Sequence, residues 1–154
     1  MDSPQSAQRH GRIVVGIDGS DGSLEALRWA TRMATTLSTE LELVSAYQWP
    51  PYIPGGVVYP VAEWAPDHEA AQMLDGVAHE MFGAEIPEWV SRRVSPGSTS
   101  KILLERAVGA TMLVVGSRGH GGFAGLLLGS VSAACAEHAT CPVLVVHGAA
   151  PRAA

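Results

Sequence analysis

At 154 residues the chain is one domain's worth, and 47% apolar against 16% charged residues is enough to bury a sizeable core. A formal charge of −5, with no lysine and arginine block, argues against a sequence-independent nucleic-acid binder, which needs a basic face. Cys135 and Cys141 have no CxxC and no histidine at ligand spacing, so they read as two free, buried thiols rather than a zinc site.

Residues Met1 to Gly11 are polar, contain Pro4 and lack periodicity, and are expected to form a disordered tail outside the core. They carry no apolar leader, and no run in the chain nears the roughly 18 apolar residues of a membrane span. The expectation is a cytoplasmic protein with no membrane partner. From Arg12, the β-branched run Ile13, Val14, Val15 and Ile17 leads to Asp18 and suits a strand at the centre of a parallel sheet. Gly19 to Ser23 then turns the chain, with Ser20 or Asp21 able to cap a helix. Leu24, Leu27, Ala30, Met33, Ala34 and Leu37 fall on one face of that helix.

Glu40 to Tyr47 reads as a second strand. Gln48 to Pro66, with five prolines and the aromatics Trp49, Tyr52, Tyr59 and Trp64, is long for a loop in a compact domain. It reads either as a lid or binding loop, or as a loop pinned to the surface by its rings. Asp67 is the expected cap of a helix through Phe82, stopped by Gly83. Glu85 to Val94, interrupted by Pro87 and rich in charge, is expected as an edge strand closed by Ser95-Pro96-Gly97. Ser98 or Thr99 then caps a short helix carrying Ile102, Leu103 and Ala107, which stops at Gly109.

Met112 to Val115 is a short apolar run ending in Gly116, followed by a loop rich in glycine. Ser130 is expected to cap a helix to about Ala139, with Val131, Ala134, Cys135 and His138 on one face. Cys141-Pro142 leads into a last strand, Val143 to His147, and Gly148 to Ala154 reads as a tail. The division is a tail over 1–11, one domain over 12–147 and a tail over 148–154.

Five strands alternating with four helices predict an α/β fold: a doubly wound parallel sheet, Rossmann-like or flavodoxin-like, in the order 3-2-1-4-5. In that order the first and fourth strands are neighbours whose connections leave toward opposite faces, which makes their carboxyl ends a ligand crevice. The glycine-bearing turns at Asp18 and Gly116 both open onto it. A loop poor in side chains lets backbone approach a ligand, and a helix start offers unpaired amides with partial positive charge, so the ligand this suits is phosphate.

Three phosphate-loop templates test that reading. Gly129-Ser130 follows Leu128 with no lysine, so the Walker A loop fails. A dinucleotide fingerprint, Gly119-His120-Gly121-Gly122-Phe123-Ala124, is followed by a strand ending Val146-His147 instead of the acidic residue it needs. The third template is Gly116, two residues, Gly119, nine residues, Gly129 and Ser130. With V-V-G-I-D-G-S at Val14 to Ser20 and H-A-T-C-P-V-L-V-V at His138 to Val146, it resembles the ATP-binding branch of the universal stress protein family.

The resemblance implies a site. Asp18 matches the position that faces adenosine, Gly16 lets the nucleotide lie close, and the Ala46 backbone meets adenine. Gly116, Gly119, Gly129 and Ser130 match the phosphate and ribose loop, with Ser117, Arg118, His120, Gly121, Gly122 and Val131 lining it. It implies ATP with Mg²⁺ as ligand and a nucleotide-dependent regulator of the stress response, while the long apolar edge of the last strand predicts a homodimer through Pro142 to Val146. Ser45 stands where histidine is frequent, Thr111 where aspartate is frequent, and Pro87 is unexpected in the third strand.

From the residues alone, Asp18 accepts from a ribose or adenine donor, holds Mg²⁺, or merely caps its turn. No residue set supplies a recognisable water-activating base with a supporting partner, so turnover is expected to be slow. The alternatives are a slow ATPase or autophosphorylating enzyme on the same fold, and a dimeric interaction module without nucleotide. A phosphorelay receiver needs an acceptor aspartate ending a central strand, which the third strand does not offer.

Overall fold

Apolar runs that alternate with amphipathic helices fold here as the pattern requires. The computed structural model describes residues 8–49, 65–119 and 128–148, and the elements below are those of the described residues. In order they are β1 (Arg12–Gly16), α1 (Asp21–Leu37), β2 (Glu40–Tyr47), α2 (Pro66–Phe82), β3 (Val90–Pro96), α3 (Thr99–Ala107), β4 (Met112–Gly116), α4 (Ser130–His138) and β5 (Val143–Val146). All four strand pairings are parallel and the sheet order is β3-β2-β1-β4-β5, as expected from the sequence.

Alternation along each strand splits the core in two. On one face Ile13, Val15, Leu41, Leu43 and Val114 pack against Leu27 and Ala30 of α1 and Leu74 and Ala78 of α2. On the other, Val14, Val44, Leu113 and Val115 pack against Leu103 of α3 and Cys135 of α4. Val15 lies between Leu43 and Val114 in register, so β1 is the sheet's centre and is buried on both sides. That double burial explains why its sequence is a continuous run instead of an alternation.

Several local expectations are corrected. The polar tail does not run through Gly11: Arg9 donates to the carbonyls of Ala34 and Thr39 and stacks on Trp89, and Gly11 accepts from the Glu40 amide. Pro66 opens α2 with Ala65 as its cap, so Asp67 sits inside the first turn, where its charge suits the helix dipole. β3 begins at Val90, so Pro87 precedes the strand and breaks none of its ladder. Gly129, not Ser130, is the cap of α4. Leu37 is exposed while Ala26 is buried, and His138 is exposed while Ser132 is buried. Cys135 is buried, but Cys141 only half so. Residues 1–7, most of the aromatic loop at 50–64, 120–127 and 149–154 lie outside the described residues.

At the amino end of the sheet a buried carboxylate is held by cations. Glu42, in β2, faces Arg93 of β3 at 3.0 Å, Arg106 of α3 at 2.8 Å and Arg12 of β1 at 3.3 Å. Arg12 also donates to the Arg106 carbonyl at 2.6 Å, tying the last turn of α3 to β1. On the opposite face Arg92 pairs with Asp75 of α2 at 2.7 Å, so edge strand β3 is guarded by charge on both faces.

Candidate functional site

β1 and β4 lie side by side, and their connections diverge: α1 covers one face of the sheet and α4 the other. A cleft of about 280 Å³ opens where they part, at the carboxyl ends of the two strands. Its floor is Gly16, Ile17, Val115 and Gly116, its near wall Asp18, Ser20 and Ser23 of the α1 turn, and its far wall Thr99 and Leu103 of α3. Arg118, Gly119 and Gly129 to Ser132 close the remaining side.

The glycines are where backbone meets backbone. A Cβ on Gly116 would stand 2.8 Å from the carbonyl carbon of Gly22, and one on Gly22 would stand 2.7 Å from the Arg118 carbonyl oxygen. The start of α1 is therefore pressed against the exit of β4, with no side chain between. A Cβ on Gly119 would fall 2.6 Å from Oδ2 of Asp18, so the two loops also touch here. Asp18 itself is a turn residue: its Oδ1 accepts from the Ser20 amide at 2.9 Å and from the Ser20 hydroxyl. The turn-capping role weighed from the sequence is the one its Oδ1 fills, while Oδ2 faces the Gly119 backbone.

Three helices begin at the cleft, and they are not capped alike. Ser20 accepts from the Ser23 amide at 3.3 Å and so closes α1. Ser98 and Gly129 make no such side-chain bond to α3 and α4. In α4 the first ladder bond runs from the Ala133 amide to the Gly129 carbonyl, so the amides of Ser130, Val131 and Ser132 precede the ladder. All three residues line the cleft. The helix start thus brings donor groups and partial positive charge to a surface that also carries Arg118.

The glycine loop is cinched at its neck. The Gly129 amide donates to the Ser117 carbonyl at 2.7 Å, the Ser132 hydroxyl donates to the same carbonyl at 2.9 Å, and the Ser117 amide donates to Val146 of β5 at 2.8 Å. Ser117 is buried in this clamp and is not among the lining residues. Of the remaining site residues expected from the sequence, Gly16, Asp18, Gly116, Arg118, Gly119, Gly129, Ser130 and Val131 meet at the cleft. His120, Gly121 and Gly122 fall outside the described residues. Ala46 lines a second cleft of about 350 Å³, which shares Ile17, Asp18 and Thr99 with the first.

Sequence reading missed Ser132, Thr99 and Leu103. Only the closed loop neck shows what the Ser132 hydroxyl does. Thr99 and Leu103 arrive from α3, which follows a different strand. Leu103 comes close enough that a Cβ on Gly16 would stand 2.9 Å from its Cδ1. Burial pushes the Cys135 thiol, at the root of α4, up from 9.0 to about 11, with neighbouring Cys141 adding to the shift. It is an inert packing group at neutral pH.

The universal stress protein family matches residues 10–147. Universal stress protein Rv2623 of Mycobacterium tuberculosis is 34% identical over 145 residues, covering 88% of this chain and 47% of that protein. The chain thus spans about half the length of the curated relatives it matches. Universal stress protein UspA from Lactobacillus plantarum shares the fold at a TM-score of 0.74 and 24% identity, over 90% of this chain and 99% of that one. A universal stress protein solved in complex with cAMP superposes at a TM-score of 0.66 with 30% identity, over 92% of this chain and 100% of that one. The chain belongs to the universal stress protein family.

Proposed function

We propose that the cleft between β1 and β4 binds an adenine nucleotide, with ATP as the ligand, and that the protein is a nucleotide-dependent regulator in the stress response. The observation that carries this is the uncapped start of α4 beside Arg118, on a floor of glycine backbone at the switch point of the sheet. Each amide to phosphate bond contributes about 1.5–3 kcal/mol in favourable cases, so a few of them supply the roughly 8 kcal/mol of micromolar binding without a lysine. The relative solved with cAMP supports an adenine nucleotide as the class.

On this reading Gly16, Asp18, Gly116, Arg118, Gly119, Gly129, Ser130 and Val131 touch the nucleotide, the Ala46 backbone meets the base, and Ser117 acts by holding the loop closed. His120, Gly121 and Gly122 belong to the same loop. Magnesium would arrive on the triphosphate. Mg²⁺ is held by phosphates plus one or two carboxylates, and Asp18 is the carboxylate lining this cleft among the described residues. Turnover is slow, and single-turnover loss of ATP at many per second would replace the regulator with an enzyme. The protein works in the cytoplasm as a homodimer through Pro142 to Val146, since β5 is an apolar edge with one neighbour in the sheet.

The test is thermal unfolding with and without ATP. ATP raises the Tm of the wild-type chain, and Gly119→Asp removes that shift by driving a carboxylate into Asp18 where phosphates must pass. An unchanged ATP shift in the variant refutes the site. For the dimer, light scattering that finds a monomer at high micromolar concentration refutes the interface.

A further inference from the structure

The second cleft runs on from the first and has a different chemistry. Pro66, Glu69, Ala70 and Met73 recur at spacings of three and four along α2, so they form one stripe, and all four line this cleft. Ala46 and Ile17 face the same space from the ends of β2 and β1. The result is a slot of about 350 Å³, within the volume range of small-molecule sites, in which this apolar surface meets the polar side chains of Ser45, Gln48 and Thr99. Asp18 stands between the two clefts and lines both; beyond it the charged lining group of this cleft is Glu69, whereas that of the first is Arg118, beside the start of α4. A nucleotide laid across both clefts is therefore oriented by charge: phosphates toward α4, base toward α2.

A carboxylate only accepts hydrogen bonds, so at the edge of a base it rewards a donor and penalises a lone pair. Asp18 already has an oxygen committed to its own turn. Glu69 sits in the first turn of α2, where its charge is favoured by the helix start and its side chain is exposed on the cleft's rim. Resting on the nucleotide reading above, we propose that Glu69 is the specificity-determining residue of the slot, accepting from the exocyclic amine of a 6-aminopurine.

The test compares ATP with purine riboside 5′-triphosphate, which lacks only the 6-amino group, by calorimetric titration of the whole chain. The wild type prefers ATP by about tenfold, the scale of one charge-assisted hydrogen bond partly open to water. Glu69→Ala brings that ratio near one while binding the amine-free analogue as tightly as the wild type does. Glu69→Gln, which keeps an acceptor oxygen without the charge, falls between. A ratio unchanged in Glu69→Ala overturns the proposal. So does an equal loss for both ligands, which assigns Glu69 to the shape of the helix start. If neither triphosphate binds the wild type, the nucleotide reading itself falls, and this inference with it.

Discussion

The two ends of the sheet handle polar groups in opposite ways. At the amino end Glu42 is buried among Arg12, Arg93 and Arg106, and Arg9 reaches the carbonyls of Ala34 and Thr39, so charged groups find partners within the fold. At the carboxyl end glycines stand where side chains would pair, and α3 and α4 begin without a side-chain cap. One end pairs its charges, although Nε of Arg12 and of Arg106 are buried without a hydrogen-bond partner among the described residues; the other presents donors outward. The difference teaches that the cleft end is held in shape by backbone contact and by a few hydroxyls, while much of the electrostatic anchoring lies a strand length away. The ends should then be separable by mutation.

The largest expected effect is at the cleft end. Gly116→Ala places a methyl 2.8 Å from the Gly22 backbone, which cannot swing aside as a side chain could, and costs about 3 kcal/mol of stability together with ATP protection. Urea unfolding measures the first and a thermal shift the second. Next is Glu42→Ala, which leaves three guanidiniums facing one another. It costs about 2 kcal/mol, less than the 3–5 kcal/mol of a fully buried pair, because Arg12, Arg93 and Arg106 keep 33%, 50% and 32% of their side-chain surface in water. Its ATP affinity should equal the wild type's. A parallel loss of affinity would show that the two ends are coupled.

Cys135 gives an effect confined to high pH and absent at neutrality. Its pKa is raised in the fold, so the unfolded chain sheds this proton first as pH rises, and the stability held below pH 9 is lost between 9.0 and about 11. The decline is at most about 1.4 kcal/mol per pH unit, the limit for one proton. Chemical unfolding across that range measures it, and Cys135→Ala should lack it. The smallest effect is Ser132→Ala, which removes the hydroxyl from the Ser117 carbonyl. That carbonyl keeps the Gly129 amide, so the cost is about 1 kcal/mol, with weaker ATP binding as the loop neck loosens. Unchanged affinity would show that the Gly129 bond alone sets the loop.

Where a feature depends on local chemistry, the residues alone disclosed it. β2 is found over Glu40–Tyr47 as expected, Ser20 caps α1 as a serine at a helix start should, and alternating element types foretold the strand order β3-β2-β1-β4-β5. Placing the crevice needed only that order. Helix caps failed where the expected polar residue directly follows a proline or a glycine: Asp67 is displaced into the first turn by Pro66 at the first helical position, and Ser130 by Gly129 before it.

Side-chain partnerships across the fold could not be read this way. Ser132 on the Ser117 carbonyl, Glu42 beneath three arginines from three elements, and the α2 stripe completing a slot with Ala46 each join residues distant in sequence. The sequence by itself determined which segments are strands and helices, their order, and a ring of glycine-bearing turns at one edge, because propensity, periodicity and crossover handedness act over a few residues or follow from order alone. Tertiary structure decided which amides stay uncapped, which serine closes the loop and which carboxylate faces the slot, because those depend on distances between elements that only packing sets.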